Sequence, residues 1–247
     1  MEQAFEDPYG LAIRDYYYHQ KTSAELTVHV TNVVSYNIGI DMFFEEYEQF
    51  FPLNQKAVQM CKGKVLDIGA GVGRFALPLQ ARGHEVCAID YSETAVKIMR
   101  EKGIQDARWL TLEKILSTPL PPDERFDTVF SMMNGMGIVG SIDGLQDFLH
   151  QIKKIMKPSG QIIADSTDVQ VNQKLEYRQL NQIISPKEKY FGEVEMSFEY
   201  KGHRSEPVPW VYLDEETLKY YAEKAGWRFE VLDRMKTGMF LVRLTLL

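Results

Sequence analysis

The chain has 247 residues, 45% of them hydrophobic and 26% charged, which is the composition of a folded protein that builds a core without disulfides. Its net charge of -7 provides no basic field, so duplex DNA and bulk RNA are not expected as partners. Cys61 and Cys87 form no CxxC pair, and no apolar run is long enough for a membrane span or a secretory signal. We therefore expect a cytoplasmic protein without a metal site.

The first 60 residues predict an N-terminal extension that is partly helical. Residues 5–20 have the pattern of an amphipathic helix ending in three consecutive tyrosines, and 25–31 alternate as a short strand or an extended arm. Residues 43–61 are predicted to be helical, with a break before Pro52. Because this segment has no fold signature of its own, we interpret residues 1–60 as an extension or lid on the domain that follows.

From Lys64 onward, short apolar runs alternate with amphipathic segments. Five strands are predicted, at KVLDIG, HEVCAID, ARWL, FDTVFSMM and QIIADS. Helices separate them; one has Ser92 as its N-cap and Gly103 as its stop, and the last covers 142–160. This alternation implies right-handed crossovers and a parallel sheet with helices on both faces.

Residues 167–213 interrupt the alternation and predict an antiparallel β insert near the ligand-binding edge of the sheet. A helix follows, with Asp214 as N-cap and Gly226 as stop. The last two strands, WRFEVLDR and MFLVRLTLL, predict an antiparallel hairpin at the sheet edge. We therefore predict an α/β, doubly wound domain over residues 61–247, with a mostly parallel seven-stranded sheet.

Three glycines follow the first of these strands, in the stretch DIGAGVGR. A glycine turn between a strand and a helix points N–H groups at a ligand and lets it approach closely. A dinucleotide turn has the pattern G-x-G-x-x-G, but the position five residues after Gly69 is Arg74. The spacing of Gly69, Gly71 and Gly73 therefore does not fit NAD.

Two aspartates stand at the carboxyl ends of the first two strands. Asp67 lies two residues before Gly69, where a buried carboxylate is costly unless it meets a donor or a cation, such as the ammonium group of an amino-acid-like ligand. Asp90 ends the next strand, 21 residues after Gly69, where ribose hydroxyls would be bound. Together they favour S-adenosylmethionine over a dinucleotide.

With these motifs the chain resembles the class I S-adenosylmethionine-dependent methyltransferases. VLDIGAGVGRF is similar to the first motif of the family, CAIDYS to the second, FDTVFSMMNGMG to the strand and loop that close the site, and MKPSG to the LKPGG before the fifth strand. These four motifs occur in the order of the family over residues 60–166. The resemblance implies a Rossmann-like fold and methyl transfer from S-adenosylmethionine, with S-adenosylhomocysteine as product.

The resemblance also implies which residues bind the cofactor. Its methionine part would face the glycine loop with Asp67 beneath it, Asp90 would bind the ribose, and Tyr91 would flank the adenine. The implied cofactor residues are Asp67, Gly69, Ala70, Gly71, Gly73, Arg74, Asp90, Tyr91, Leu112, Glu113, Met132 and Met133. Glu113 stands where the family usually has aspartate.

The sequence identifies no catalytic base, and many enzymes of this family need none. His29 and His203 come from the segments expected to cover the site. Asn134 follows the fourth strand, where amino-methylating enzymes have [D/N]-P-P-[Y/F]; the clamp after the amide is absent here. These three residues are the catalytic candidates. The candidate acceptor-binding residues are Tyr18, Asn134, Trp210 and Tyr212.

Three functions fit the sequence. The first is methyl transfer to a small-molecule acceptor, covered by the N-terminal extension and the insert. The second is methylation of a protein or a nucleic acid, which the acidic charge and the missing clamp disfavour. The third is a non-catalytic module that binds the cofactor, its product or a partner chain. A homodimer is compatible with each of them.

Overall fold

The computed structural model describes residues 7–20, 24–31, 35–171 and 190–247. The strands in these ranges are β1 (Glu25–Val30), β2 (Tyr36–Gly39), β3 (Lys64–Ile68), β4 (Glu85–Asp90), β5 (Asp106–Trp109), β6 (Phe126–Ser131), β7 (Met156–Thr167), β8 (Glu193–Tyr200), β9 (His203–Arg204), β10 (Val208–Val211), β11 (Trp227–Arg234) and β12 (Met239–Leu246). The α-helices are α1 (Pro8–His19), α2 (Pro52–Met60), α3 (Ala76–Ala81), α4 (Glu93–Glu101), α5 (Leu112–Leu116), α6 (Ile142–Gln151) and α7 (Glu215–Lys224). Positions 5 and 6 of the predicted first helix and positions 172–189 of the predicted insert lie outside the described residues.

Within the described ranges, seven strands form the larger sheet, in the order β11-β12-β7-β6-β3-β4-β5. The pairs from β7 to β5 are parallel, whereas β12 runs antiparallel to both of its neighbours. The predicted α/β class, the mostly parallel sheet and the antiparallel edge hairpin are therefore confirmed. The central strands are apolar runs because both of their faces are covered, as in β3, where residues 65–68 are all buried.

Capping residues and prolines set the helix boundaries. Ser92 caps α4 and Asp214 caps α7, as predicted, and each side chain accepts a hydrogen bond from an N–H of the first turn. The helix predicted over 142–160 is shorter, because β7 already begins at Met156. Pro158 has no N–H and cannot continue a helix, so the MKPSG motif lies in the strand.

The smaller sheet has the order β10-β8-β1-β2, with β9 paired to β8. β1 is antiparallel to both β2 and β8, so the N-terminal extension and the insert form one layer. The segment predicted at 25–31 is strand β1, and its pairing with β8 joins the two segments that are predicted to cover the site. The sequence does not predict β2, because its four residues are too short and too exposed to show a periodic pattern.

Helix α1 connects the smaller sheet to the larger one, since it packs against both α4 and β8. Its Asp15 is 6% exposed and accepts hydrogen bonds from the Tyr200 hydroxyl, at 2.9 Å, and from the Lys201 ammonium. A buried carboxylate is stable only when such donors reach it. In the part of the chain that the structure describes, every helix falls short of the length and apolarity that crossing a membrane requires.

Replacing Tyr200 by Phe is expected to lower the free energy of unfolding by about 1–3 kcal/mol, because the Asp15 carboxylate loses a donor and stays buried. Urea denaturation measures this change. Tyr220→Phe is the control, since Tyr220 is 59% exposed, and it should change stability by less than about 0.5 kcal/mol. Equal effects of the two substitutions would contradict an anchoring role for Asp15.

Candidate active site

The glycine loop lies at the carboxyl edge of the larger sheet, between β3 and α3. Gly69 and Gly73 have φ angles of +67° and +82°, values that residues with a Cβ seldom adopt. A Cβ at Gly73 would lie 2.1 Å from Ile104 Cδ1, whereas one at Gly69 would meet no atom within 4 Å. Gly73 is therefore needed for packing, and Gly69 borders open space where a ligand can approach the backbone.

Asp67, in β3, is 2% exposed, and its Oδ2 has no hydrogen-bond partner among the described residues. Burial, and next the charge of Asp90, raise the pKa of the Asp67 carboxyl to about 8. An unpartnered buried carboxyl oxygen is costly, and a cationic group on a ligand would remove that cost. Asp67 and the open space at Gly69 therefore fit the ammonium end of an amino-acid-like ligand.

Asp90, at the end of β4, stabilises the conformation of the glycine loop through a hydrogen bond. Its Oδ2 accepts the Gly71 N–H at 2.8 Å, and its Oδ1 accepts the Ser92 N–H at 2.9 Å. Burial raises the pKa of this carboxyl to about 6, although the same two N–H groups oppose the shift. The carboxylate oxygens keep further lone pairs, so they can still accept hydrogen bonds from ligand hydroxyls.

Two residues that the sequence does not single out reach the glycine loop from the N-terminal segment. Asp7 caps α1, and its Oδ2 accepts the Ser92 hydroxyl at 3.0 Å. Tyr9 is buried, and its hydroxyl lies 2.8 Å from the position that a Cβ on Gly71 would take. The Asp-Pro pair at the start of α1, an N-cap followed by proline, is the signal that marks this helix start.

Three residues predicted for the site lie away from the glycine loop. The Tyr18 hydroxyl donates to Glu101 Oε1 at 2.8 Å, at the far end of α4. His29 Nε2 lies 3.0 Å from Glu199 Oε2, on the face of β1 opposite to its buried valines. His203 is exposed in β9. His29 thus contacts a carboxylate of the smaller sheet and His203 is exposed to solvent.

The residues after β4 and β5 come together beside Asp90. Tyr91 is 53% exposed, and the Trp109 Nε1–H donates to its carbonyl oxygen at 2.8 Å. Leu112 and Glu113 form the first turn of α5, and Glu113 is exposed to solvent. The aromatic side chain next to Tyr91 is therefore Trp109, which is not among the predicted site residues although it lies in a predicted strand.

Arg74 follows the last glycine of the loop and is 6% exposed. Its guanidinium pairs with Glu45 and lies 4.5 Å and 5.0 Å from the ring centroids of Phe50 and Phe75. Burial lowers the pKa of Arg74, and Glu45 and then Asp165 oppose this shift. The Nε atom is buried without a partner in the described ranges, so one donor of this cation is left for a ligand.

The turn after β6, residues 132–135, forms the next part of the edge. Met132 is 6% exposed, and Met133 and Asn134 have φ angles of 64° and 57°. The Asn134 N–H donates to Asp165 Oδ1 at 2.8 Å. The Asn134 Oδ1 is buried and meets no donor in the described part of the chain.

The smaller sheet presents an apolar face to this turn. Strand β10 packs against the 3-10 helix Gly135–Val139, and a Cβ on Gly137 would lie 2.0 Å from Trp210 Nε1. Tyr212 lies on the same face as Trp210, whose Nε1 is buried and has no acceptor among the described residues. The side chains of this apolar face are Val28, Val30, Ile38, Val194, Met196, Phe198, Trp210 and Tyr212.

Four buried side-chain polar atoms lack partners in the described ranges, and they come from β3, the glycine loop, the turn after β6 and β10. They are Asp67 Oδ2, Arg74 Nε, Asn134 Oδ1 and Trp210 Nε1. Buried polar atoms are nearly always hydrogen-bonded, so four exceptions around one edge indicate a ligand site. The same ranges contain no group of three or more His, Cys, Asp or Glu side chains arranged to hold a metal.

Residues 65–160 match the model of the methyltransferase domain family. Among solved structures, the chain is similar to a SAM-dependent methyltransferase from Bacteroides fragilis in complex with S-adenosyl-L-homocysteine. The two sequences are 32% identical, and the match covers 98% of this chain and 95% of that one with a TM-score of 0.84. The chain also shares its fold with the CcbJ methyltransferase from Streptomyces caelestis, which is 16% identical in sequence. That match covers 82% of this chain and 99% of the other with a TM-score of 0.56.

Curated relatives match over a shorter range. A ubiquinone biosynthesis O-methyltransferase of Bradyrhizobium sp. is 30% identical over 47% of this chain, and the putative methyltransferase YqeM of Bacillus subtilis is 24% identical over 42%. The match spans less than half the length of these relatives, 45% and 42% respectively. With the fold, the order of the motifs and the full-length similarity to the Bacteroides protein, the chain belongs to the S-adenosylmethionine-dependent methyltransferases.

Proposed function

We propose that this protein transfers the methyl group of S-adenosylmethionine to a small, largely apolar acceptor. The observation that carries the proposal is the set of four unpartnered polar atoms at one edge of the sheet. Two of them, on Asp67 and Arg74, belong to the side where the family binds the methyl donor. The other two, on Asn134 and Trp210, come from the turn after β6 and from the smaller sheet, where an acceptor would lie.

On the donor side, the proposed ligand has a charged amino-acid end and a nucleoside end. Asp67 would pair with its ammonium group, Asp90 would accept hydrogen bonds from the ribose, and Tyr91 and Trp109 would flank the adenine. Bound S-adenosylmethionine supplies a methyl group that its sulfonium charge already activates. The residues therefore need only to hold and orient the two reactants and to keep water out, which contributes on the order of 7–11 kcal/mol in well-oriented model reactions.

On the acceptor side, Trp210 Nε1 would donate a hydrogen bond to the acceptor, and Asn134 Oδ1 would accept a hydrogen bond from its reacting O–H or N–H group, whose proton passes to water when the methyl group has been transferred. The surrounding face is apolar, so an acceptor with a large uncharged surface is favoured. We propose that residues 1–60 and 167–213 act together as the lid over the acceptor, because β1 and β8 join the two segments in one sheet. The quinone-related name of curated relatives supports a small ring-containing acceptor.

S-adenosylhomocysteine is expected to bind the purified protein, and Asp90→Asn should weaken binding by about 10–100-fold, because an amide cannot serve both the ligand and the loop N–H groups. Isothermal titration calorimetry measures both affinities. Asp106→Asn, on β5, is the control; its side chain pairs with Arg108, and the affinity should change by less than about twofold. Tight binding of NAD in its place would contradict the donor assignment.

Binding of S-adenosylhomocysteine is expected to release a proton near neutral pH. The pKa of Asp67 is about 8 in the free protein, so its carboxyl is protonated below that value. A ligand ammonium favours the ionised form, and the affinity should therefore rise from about pH 6 to pH 8 and then level off. Calorimetry in two buffers of different ionisation enthalpy measures the released proton.

Asp67→Asn should abolish the proton release. The ligand 5′-methylthioadenosine lacks the amino-acid part, so its binding to the unmodified protein should release no proton.

The raised pKa of Asp67 also means that the free protein loses stability as the pH rises from about 4, the pKa of an aspartate in the unfolded state, toward 8. The gain in Tm on adding ligand should therefore be larger at pH 8 than at pH 6. An affinity that does not change with pH would refute the role of Asp67.

Trp210→Phe is expected to raise KM for the acceptor about tenfold and to leave the affinity for S-adenosylhomocysteine nearly unchanged, because it removes one donor from the acceptor side. The acceptor probes are phenols, amines and carboxylic acids that carry apolar rings, with formation of S-adenosylhomocysteine as the signal. Trp109→Phe is the control; it should weaken the binding of S-adenosylhomocysteine and leave KM for the acceptor nearly unchanged. If peptides or tRNA were methylated and none of the small molecules were, the proposed acceptor class would be wrong.

A further inference from the structure

The turn after β6 has an unfavourable backbone conformation, so neighbouring groups must stabilise it. Met133 and Asn134 are consecutive residues with φ angles of 64° and 57°, and neither is glycine. A Cβ atom disfavours this left-handed region, so two such residues in a row persist only where neighbouring groups fix them. The next residue is equally constrained, since a Cβ on Gly135 would lie 2.4 Å from Ser131 Oγ.

Asp165 is the group that holds this turn. It lies in β7, the neighbour of β6, and is 1% exposed. Its Oδ1 accepts the Asn134 N–H at 2.8 Å, and the neighbouring N–H groups of Met133 and Gly135 act to lower the pKa of the carboxyl. Successive backbone N–H groups that face one anion resemble an anion-binding nest, here facing a side chain of the same protein.

The position of Asp165 argues against a role as general base. Asp165 is 1% exposed and its Oδ1 accepts a main-chain N–H of the turn, so the contact that the structure shows is to the backbone of the turn. The group that the turn directs toward the site is the Asn134 side chain, whose Oδ1 is buried and unpartnered among the described residues. Asp165 therefore acts on the site through the backbone of the turn.

We propose that Asp165 is a positioning residue that holds residues 133–135 in the left-handed conformation and thereby sets the place of the Asn134 amide between methyl donor and acceptor. This inference rests on the proposed function for its consequence in methyl transfer. The hydrogen bonds that it describes are independent of any ligand, so they can be tested in the free protein.

Hydrogen–deuterium exchange of the free protein tests the contact directly. Asp165→Asn should raise the exchange rate of the Met133, Asn134 and Gly135 amides by about tenfold or more, because the variant loses the charge that strengthens these bonds. Asp127→Asn is the matched control, since Asp127 accepts the Lys64 N–H at 2.8 Å at the opposite edge of the sheet. Exchange at the turn that stays at the unmodified rate would overturn the proposal.

A double-mutant cycle with S-adenosylhomocysteine tests whether the turn conformation matters to the site. Asp165→Asn alone should weaken its binding about tenfold, and the loss should shrink to about twofold in a Met133→Gly background, where the left-handed conformation costs little. Additive effects would contradict a role through the turn. If the unmodified protein does not bind S-adenosylhomocysteine, the proposed function fails, and the exchange result still decides the role of Asp165.

The unmodified protein offers a second measurement if Asp165→Asn does not fold. Burial raises the pKa of the Asp165 carboxyl to about 7, so protonation below that pH weakens its hydrogen bonds. Arg74, paired with Glu45, is the charged group that interacts with it in the described ranges, and β12 places the uncharged Leu241 opposite. Protection of the three amides, corrected for intrinsic exchange, should fall as the pH drops through about 7. Constant protection would refute the contact.

Discussion

A carboxylate in a protein interior must be matched by donors, and this chain buries three at the carboxyl edge of its sheet: Asp67, Asp90 and Asp165. The protein itself supplies the donors for two of them. Asp90 accepts an N–H group of the glycine loop and the N–H of Ser92, the N-cap of α4, and Asp165 accepts the N–H of Asn134 in the turn after β6. These bonds fix the two loops that border the site. Asp67 keeps one oxygen without a partner among the described residues, and the proposed ammonium group of the ligand would supply the missing donor.

The same arrangement gives the edge a preference for positive ligands. Arg74 is the buried cation among these groups, and Glu45 already pairs with it. S-adenosylmethionine has two positive groups, its ammonium and its sulfonium, and transfer of the methyl group leaves the product with only the ammonium. The attraction between the acidic edge and its ligand therefore weakens as the methyl group leaves, which favours release of the product after each turnover.

The parts of the fold that could be predicted are those with local signals. Strand β3, the glycines and Ser92 follow from apolar runs, turn residues and capping side chains that lie next to one another in the chain. Strand β1 and the β insert also have local signals, but the pairing that joins them into one sheet could not be predicted, because β1 pairs with β8 about 170 positions later. The roles of Tyr9 and Asp165 could not be predicted for the same reason, because each residue contacts a loop that is distant from it in the sequence.

This division explains what the site shares with its relatives. The donor side comes from one continuous stretch that a family model matches over residues 65–160, and curated relatives resemble the chain over a similar fraction of its length. The proposed acceptor side combines β1, β8 and β10, and a strand joined to a distant partner can change its apolar face without disturbing the glycine loop. Acceptor specificity is therefore expected to vary between relatives that keep the same donor motifs, since Trp210 belongs to the smaller sheet and lies outside residues 65–160.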